Sequence, residues 1–231
     1  MVLSGGCLLA CSDSGSSSGA SGSSGTSAIA APLLRKISPA FACPVRKGTP
    51  EQIDRGSALA SAAIRDSASA VAPVPVRPAL GFELDQTRKS DVAAWASRPK
   101  VSCANIGGND NLQKCTDVSA AAVGESDNLG ALEEVCFEFR SSGELVHVQT
   151  LRRHLPPSAA AHAAERLERN AAFALGEPST VGGEPTPAHL GRGFLSSYVA
   201  IHAFKDYRAT VSATNLAPTG LMVREEYLSA R

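Results

Sequence analysis

The aromatic side chains of this chain are confined to its last two thirds. Of the eleven Phe, Tyr and Trp residues, ten lie at or after Phe82, and only Phe41 precedes it. Because large apolar side chains supply most of the area that a core buries, the folded domain has to be built from the later part of the chain. We therefore expect one globular domain over residues 80–231.

Residues 12–79 contain few large apolar side chains that a core could bury. Thirteen of the sixteen residues from 12 to 27 are Ser or Gly, and seven prolines lie between residues 32 and 78. Such segments behave as flexible coils or extended spacers. We expect a disordered tether over residues 12–79 with one weak helix at 51–70, where Ile53, Leu59 and Ile64 have roughly helical spacing.

The N-terminus carries a short motif. Leu8-Leu9-Ala10-Cys11 resembles the lipobox of bacterial lipoproteins, in which the chain is cleaved before the cysteine and the cysteine is acylated. The resemblance implies that residues 1–11 are the remnant of a signal peptide and that Cys11 carries palmitate-type lipid. It also implies a membrane-anchored protein in the bacterial cell envelope, on the periplasmic or the surface side. Cys7 is a weaker lipidation candidate, and a secreted or an unprocessed cytoplasmic chain is the alternative.

Charge argues against a nucleic-acid partner, and hydropathy argues against a membrane-spanning helix. The 22 Lys and Arg residues balance the 22 Asp and Glu residues, which argues against a nucleic-acid ligand bound by bulk positive charge. The sequence has no apolar run of about 18 residues, so it encodes no transmembrane helix. The lipid on Cys11 would be the contact with the membrane.

Periodicity predicts the secondary structure of the domain. A helix carries Val92 and Trp95, two alternating segments at 135–140 and 145–151 form a hairpin, and a second helix runs to Leu175. Three strands follow at 198–204, 207–214 and 221–227, whereas residues 100–130 are expected to be rich in loops. The pattern predicts an α+β fold with two helices packed on one face of an antiparallel sheet. Each half is a helix followed by strands, which is compatible with a duplication.

The cysteines predict disulfides in an exported chain. Cys103 and Cys115 flank a Gly-Gly-Asn-Asp turn and are expected to pair, while Cys43 and Cys136 form a possible second pair. No Cys-x-x-Cys spacing occurs, and no histidine lies close to these cysteines, so we expect no metal.

Motifs of catalysis are absent from the sequence. It contains no Gly-x-Ser-x-Gly elbow and no His-Glu-x-x-His pair, and we therefore assign no catalytic residue and no cofactor. The charged residues of the last strands, Asp206, Arg208 and 224–226, are expected to form an exposed cluster on the sheet.

Residues 81–95 and 135–148 resemble the small α+β outer-membrane lipoproteins of the SmpA/OmlA type, whose architecture is related to that of the β-lactamase-inhibitor-protein fold. The matching features are a Gly and a Thr before a helix that ends in an aromatic residue, and a hairpin with Ser-Gly in its turn. The resemblance implies a non-enzymatic envelope domain that binds a protein partner through its sheet. We therefore expect a non-catalytic binding or scaffold domain. Two alternatives are an inhibitor that docks an aromatic stripe of its sheet (Tyr198, Phe204, Tyr207, Tyr227) and a wall-modifying hydrolase with an unrecognised site.

Overall fold

The computed structural model describes residues 72–98, 101–125, 129 and 131–230. All of them belong to one compact unit, Ser38–Arg231. The lipidation residue Cys11, the cysteine Cys43 and the helix expected at 51–70 lie outside the described residues, as does the predicted tether up to residue 71.

The described residues form ten strands and three α-helices. The helices are α1 (Lys89–Ala96), α2 (Pro157–Leu175) and α3 (Pro187–Leu190). The strands are β1 (Pro78–Ala79), β2 (Phe82–Glu83), β3 (Ser102–Ile106), β4 (Asn109–Val118), β5 (Leu132–Phe139), β6 (Leu145–Leu155), β7 (Thr180–Gly182), β8 (Ser197–Ala203), β9 (Tyr207–Asn215) and β10 (Leu221–Ser229). A 3-10 turn, Ala120–Val123, lies in the connection between β4 and β5.

Eight of these strands form one antiparallel sheet in the order β3-β4-β5-β6-β10-β9-β8-β7, while β1 and β2 form a separate small hairpin. The predicted α+β class with an antiparallel sheet is confirmed. Each half of the fold is a helix followed by four strands that pair with their neighbours in the sequence. The halves meet through their last strands, since β6 pairs with β10 from Leu155 opposite Leu221 to His147 opposite Leu228.

The core consists of two hydrophobic clusters. The first joins Val92 and Trp95 of α1 to Val135 and Phe137 of the sheet. The second lies under α2, whose buried side chains are mostly alanines at helical spacing (Ala160, Ala164, Leu167, Ala171) and pack against Val211 and Val223. Small side chains on α2 let its backbone approach the sheet closely.

The expectation that residues 100–130 are rich in loops is wrong, because β3 and β4 form a hairpin there. Gly107 and Gly108 both have positive φ (63° and 72°), which is the conformation of a two-residue hairpin turn. The hairpin was missed because β3 is an edge strand with no buried residue, so its sequence lacks apolar alternation. The edge strand β7 was missed for the same reason, since it is three residues long and unburied.

The described end of the predicted tether packs against the domain. Val74, Arg77 and Ala79 are buried. The Arg77 guanidinium forms ion pairs with Asp206 and, at 3.6 Å, with Asp85. These contacts attach residues 72–79 to the turn between β8 and β9. Asp206 therefore pairs with buried Arg77 and is not part of an exposed cluster.

The first cluster gives a direct test of the core. Phe137 is 1% exposed, whereas Phe173 on α2 is 96% exposed. We expect Phe137→Ala to lower the free energy of unfolding by about 3–5 kcal/mol, because it leaves a cavity under Trp95. Phe173→Ala is the matched control and should change it by less than about 0.5 kcal/mol. Urea denaturation measures both, and equal effects would contradict the placement of these two side chains.

Candidate functional site

A cleft lies between the β1–β2 hairpin, α1 and the 3-10 turn. Its volume is about 600 Å³, and Leu80, Phe82 and Trp95 line it together with alanines of α1 and of the turn. Asp91 and Arg98 contribute its charged groups. The cleft is therefore lined by apolar side chains together with one charged group of each sign.

The hairpin turn holds Leu80 in an unusual conformation. Leu80 and Gly81 have φ values of 56° and 79°, the combination of a two-residue turn that favours Asn-Gly or Gly-Gly. Glycine adopts this conformation without cost, whereas the side chain of a leucine makes it unfavourable by roughly 1–2 kcal/mol. The side chain of Leu80 packs on the first core cluster and also lines the cleft. The strained turn thus keeps a large apolar group at the cleft.

Three aromatic rings support the cleft. Phe82, Trp95 and Phe137 are mutually edge-on, with ring centroids 5.4–5.6 Å apart. The indole Nε1–H of Trp95 donates a hydrogen bond of 2.8 Å to the carbonyl of Ala122, which ties α1 to the 3-10 turn. This arrangement fixes the rings before any ligand binds.

A second cleft of about 530 Å³ adjoins the first and shares Gly81, Phe82 and Asp91 with it. Val76, which is 50% exposed, and Glu83 lie on the far side of it. We call the two clefts together the hairpin groove. Its lining combines apolar side chains with the charged groups of Asp91, Arg98 and Glu83.

Arg152 of β6 and Glu225 of β10 form a buried ionic cluster with Glu125, which follows the 3-10 turn. The guanidinium of Arg152 pairs with Glu125, and the Tyr227 hydroxyl donates to Glu225 at 2.7 Å. Burial, reinforced by the charge of Glu225, raises the pKa of Glu125 to about 8 in spite of Arg152. Two carboxylates beside one cation therefore retain a proton at neutral pH.

A second ionic group spans β5, β6 and β10, with His147 of β6 between two carboxylates. Its Nδ1 is 3.3 Å from Oε2 of Glu138 and its Nε2 is 3.2 Å from Oε1 of Glu226. Burial alone would lower the pKa of His147, but the hydrogen bonds to both glutamates outweigh it and raise the pKa to about 9. Burial would likewise raise the pKa of Glu226, yet His147 lowers it to about 2. His147 is an imidazolium at neutral pH and has no lone pair with which to act as a general base.

The structure describes three of the four cysteines for which disulfides were predicted. Cys103 and Cys115 are directly opposed in the β3–β4 hairpin and form a disulfide with a Cα–Cα distance of 4.0 Å, which confirms the first predicted pair. Cys136 is disulfide-bonded as well. Its predicted partner Cys43 and the lipidation residue Cys11 lie outside the described residues.

The cluster expected from residues 224–226 does not form one exposed surface. Successive residues of β10 point to opposite faces, so Glu225 is buried in the core, while Arg224 and Glu226 lie on the other face beside Arg208. The aromatic stripe is not exposed either, because Tyr198 and Tyr207 are buried in the core.

Neither the hairpin groove nor the place of Glu125 in the buried ionic cluster was predicted from the sequence. No periodic pattern marks residues 78–83, since each strand there has two residues. Glu125 belongs to a connecting segment that reaches Arg152 only through the tertiary fold.

Comparison with family models, with curated proteins and with solved structures finds no match to this chain. Within the described ranges, no group of three or more His, Cys, Asp and Glu side chains is arranged to hold a metal ion. None of the helices described here is both long and apolar enough to cross a bilayer.

The buried cluster predicts a pH dependence of stability. The pKa of Glu125 is 4.5 in an ordinary environment and about 8 in the fold, so between these values the native state binds a proton that the unfolded chain releases. The contribution of Glu125 to stability should fall as the pH rises through this range, by up to about 1.4 kcal/mol per pH unit. Glu125→Gln carries no titrating proton and should flatten this slope.

Urea denaturation between about pH 5 and about pH 6 measures the slope below the range in which His147 changes its charge. Glu165→Gln is the matched control, because Glu165 is exposed on α2 and pairs only with Arg169. The assignment fails if the two variants show the same slope as the unaltered protein.

Proposed function

We propose that this protein is a lipid-anchored lipoprotein of the bacterial cell envelope, on the periplasmic or the surface side. It is a non-catalytic domain that binds a protein partner. The anchor would be the acylated Cys11 of the lipobox-like segment, and residues 12–27 would form a flexible coil with an r.m.s. span of roughly 20–25 Å. A span of that size holds a folded domain clear of the headgroups while keeping it close to the membrane.

We further infer that α1 and α2 cover one face of the sheet, as in the SmpA/OmlA-type and inhibitor-like architectures that the sequence resembles. Residues that are directly opposed in neighbouring strands share a face. One such row runs through six strands: Cys115, Val135, Thr150, Glu225, Val211 and Ala200. Its first two members pack in the cluster of α1, and its last two pack in the cluster of α2.

The hairpin groove is the observation that carries the binding function. It combines rigid aromatic rings, a strained leucine held at its floor and a charged border. Aromatic anchors in a preformed apolar pocket contribute most of the energy in protein interfaces. A partner segment with one or two large apolar side chains would fill the groove, and Asp91 and Arg98 would set its orientation.

Photocrosslinking in intact cells tests this proposal. With p-benzoylphenylalanine in place of Val76, at the groove, we expect a crosslink to one envelope protein. The same group in place of Phe173, which is fully exposed on α2, is the control and should not capture that protein. Capture of the same protein from both positions, or from neither, would argue against the groove as the binding surface.

The Leu80→Asn variant tests whether the partner contacts the floor of the groove. Asparagine tolerates the left-handed conformation of residue 80, so the turn should keep or gain stability while the groove loses its apolar floor. We expect the crosslink from position 76 to weaken at least about five-fold, since an interface anchor is typically worth more than 1 kcal/mol. An unchanged yield would mean that the partner does not contact Leu80.

The anchor has its own test. Labelling with radioactive palmitate and partition into detergent should both be lost in Cys11→Ser and retained in Cys7→Ser. If the Cys11→Ser variant still takes up label, the anchor is not at Cys11.

A further inference from the structure

The face of the sheet opposite the two core clusters is defined by its own rows of opposed residues. One row places Cys136 opposite Gln149 and Gln149 opposite Glu226. A neighbouring row places Glu138 opposite His147. We call this surface the second face.

The middle of the second face is buried. Glu138 and Gln149 are 3% exposed, Leu151 is 0% exposed and Met222 is 3% exposed. Leu151 and Met222 nevertheless belong to neither of the two core clusters. Within those clusters, α1, α2 and residues 74–84 all pack on the side of the sheet that carries Val135 and Val211. The described parts of the chain therefore supply no element that covers the second face.

The disulfide of Cys136 limits which part of the chain can cover the second face. It is disulfide-bonded, and Cys103 and Cys115 are bonded to each other. The chain has six cysteines, so the partner of Cys136 is Cys7, Cys11 or Cys43. Of these three, only Cys43 belongs to the compact unit Ser38–Arg231 that contains Cys136.

We propose that residues 38–71 of this chain lie across the second face and are tied to it by a Cys43–Cys136 disulfide. The occupant of this surface is thus part of the protein itself. The sheet would be closed to other proteins on both faces, which leaves the hairpin groove as the accessible binding surface. This inference concerns the architecture and stands independently of the proposed binding function.

The composition of residues 38–71 suits this surface. Ile53, Leu59 and Ile64 are set among alanines and serines, which permit close approach to Leu151 and Met222 on the sheet. Burying these apolar groups would stabilise the cover against an open sheet face.

The unaltered, oxidised full-length protein provides the first test. A peptide map made without reductant should contain Cys136 joined to Cys43. A map in which Cys136 is joined to Cys7 or Cys11, or is a free thiol, would overturn the proposal. Because no variant is needed, failure of a mutant to fold cannot obscure this result.

Met222 provides the second test, since Met1 is the only other methionine in the chain. We expect hydrogen peroxide to oxidise Met222 slowly in the full-length protein. The triple variant Cys43→Ser, Cys136→Ser, Leu59→Asp should oxidise at least about ten-fold faster, because the cover loses both its tether and part of its apolar contact.

The matched control is Cys103→Ser, Cys115→Ser, which removes the other disulfide and should leave Met222 protected. Equal oxidation rates in the triple variant and the unaltered protein would contradict the proposal, since another element would then be covering the sheet. Loss of the photocrosslink at Val76 with a normal peptide map would instead refute the binding function alone.

Discussion

The pairing of β6 with β10 is the constraint on which the rest of this structure depends. It joins two halves that are each a helix and four strands, and it continues one sheet across both core clusters. Its register decides which ionisable groups enter the core. A shift of one residue would move Arg224 and Glu226 into the core and would expel Glu225. In the observed register, Glu226 lies beside His147 and Glu225 lies beside Thr150.

The same strand pair explains how charge is accommodated on both surfaces of a sheet. On the core side, Arg152 and a retained proton compensate Glu125 and Glu225. On the other face, protonated His147 compensates Glu138 and Glu226. Buried ionic groups contribute little net stability because desolvation opposes their attraction, but they penalise every alternative pairing. We infer that these residues specify the register of β6 and β10, while the aromatic and alanine-rich clusters supply the stability.

Much of this fold follows from local patterns, and the remainder depends on tertiary contacts. Alternation at Val135, Phe137 and Phe139 predicts β5, and alanines at helical spacing predict α2, because in both elements one face carries the apolar residues of a core cluster. Edge strand β3 has no fully buried residue and carries no such pattern. The placement of Glu225 on one face of β10 and of Arg224 and Glu226 on the other follows from strand alternation alone. The partners of Glu125 and the strained conformation of Leu80 depend on residues distant in the sequence, so the hairpin groove could not be predicted.

The central claim of this account is that His147 of β6 is held as an imidazolium between Glu138 of β5 and Glu226 of β10. Nitrogen-15 NMR of the imidazole ring measures this directly. We expect both ring nitrogens of His147 to carry protons at about pH 7.5, since its pKa is raised to about 9. A neutral ring at that pH, with one nitrogen unprotonated, would contradict the arrangement of Glu138, His147 and Glu226 and the register that depends on it.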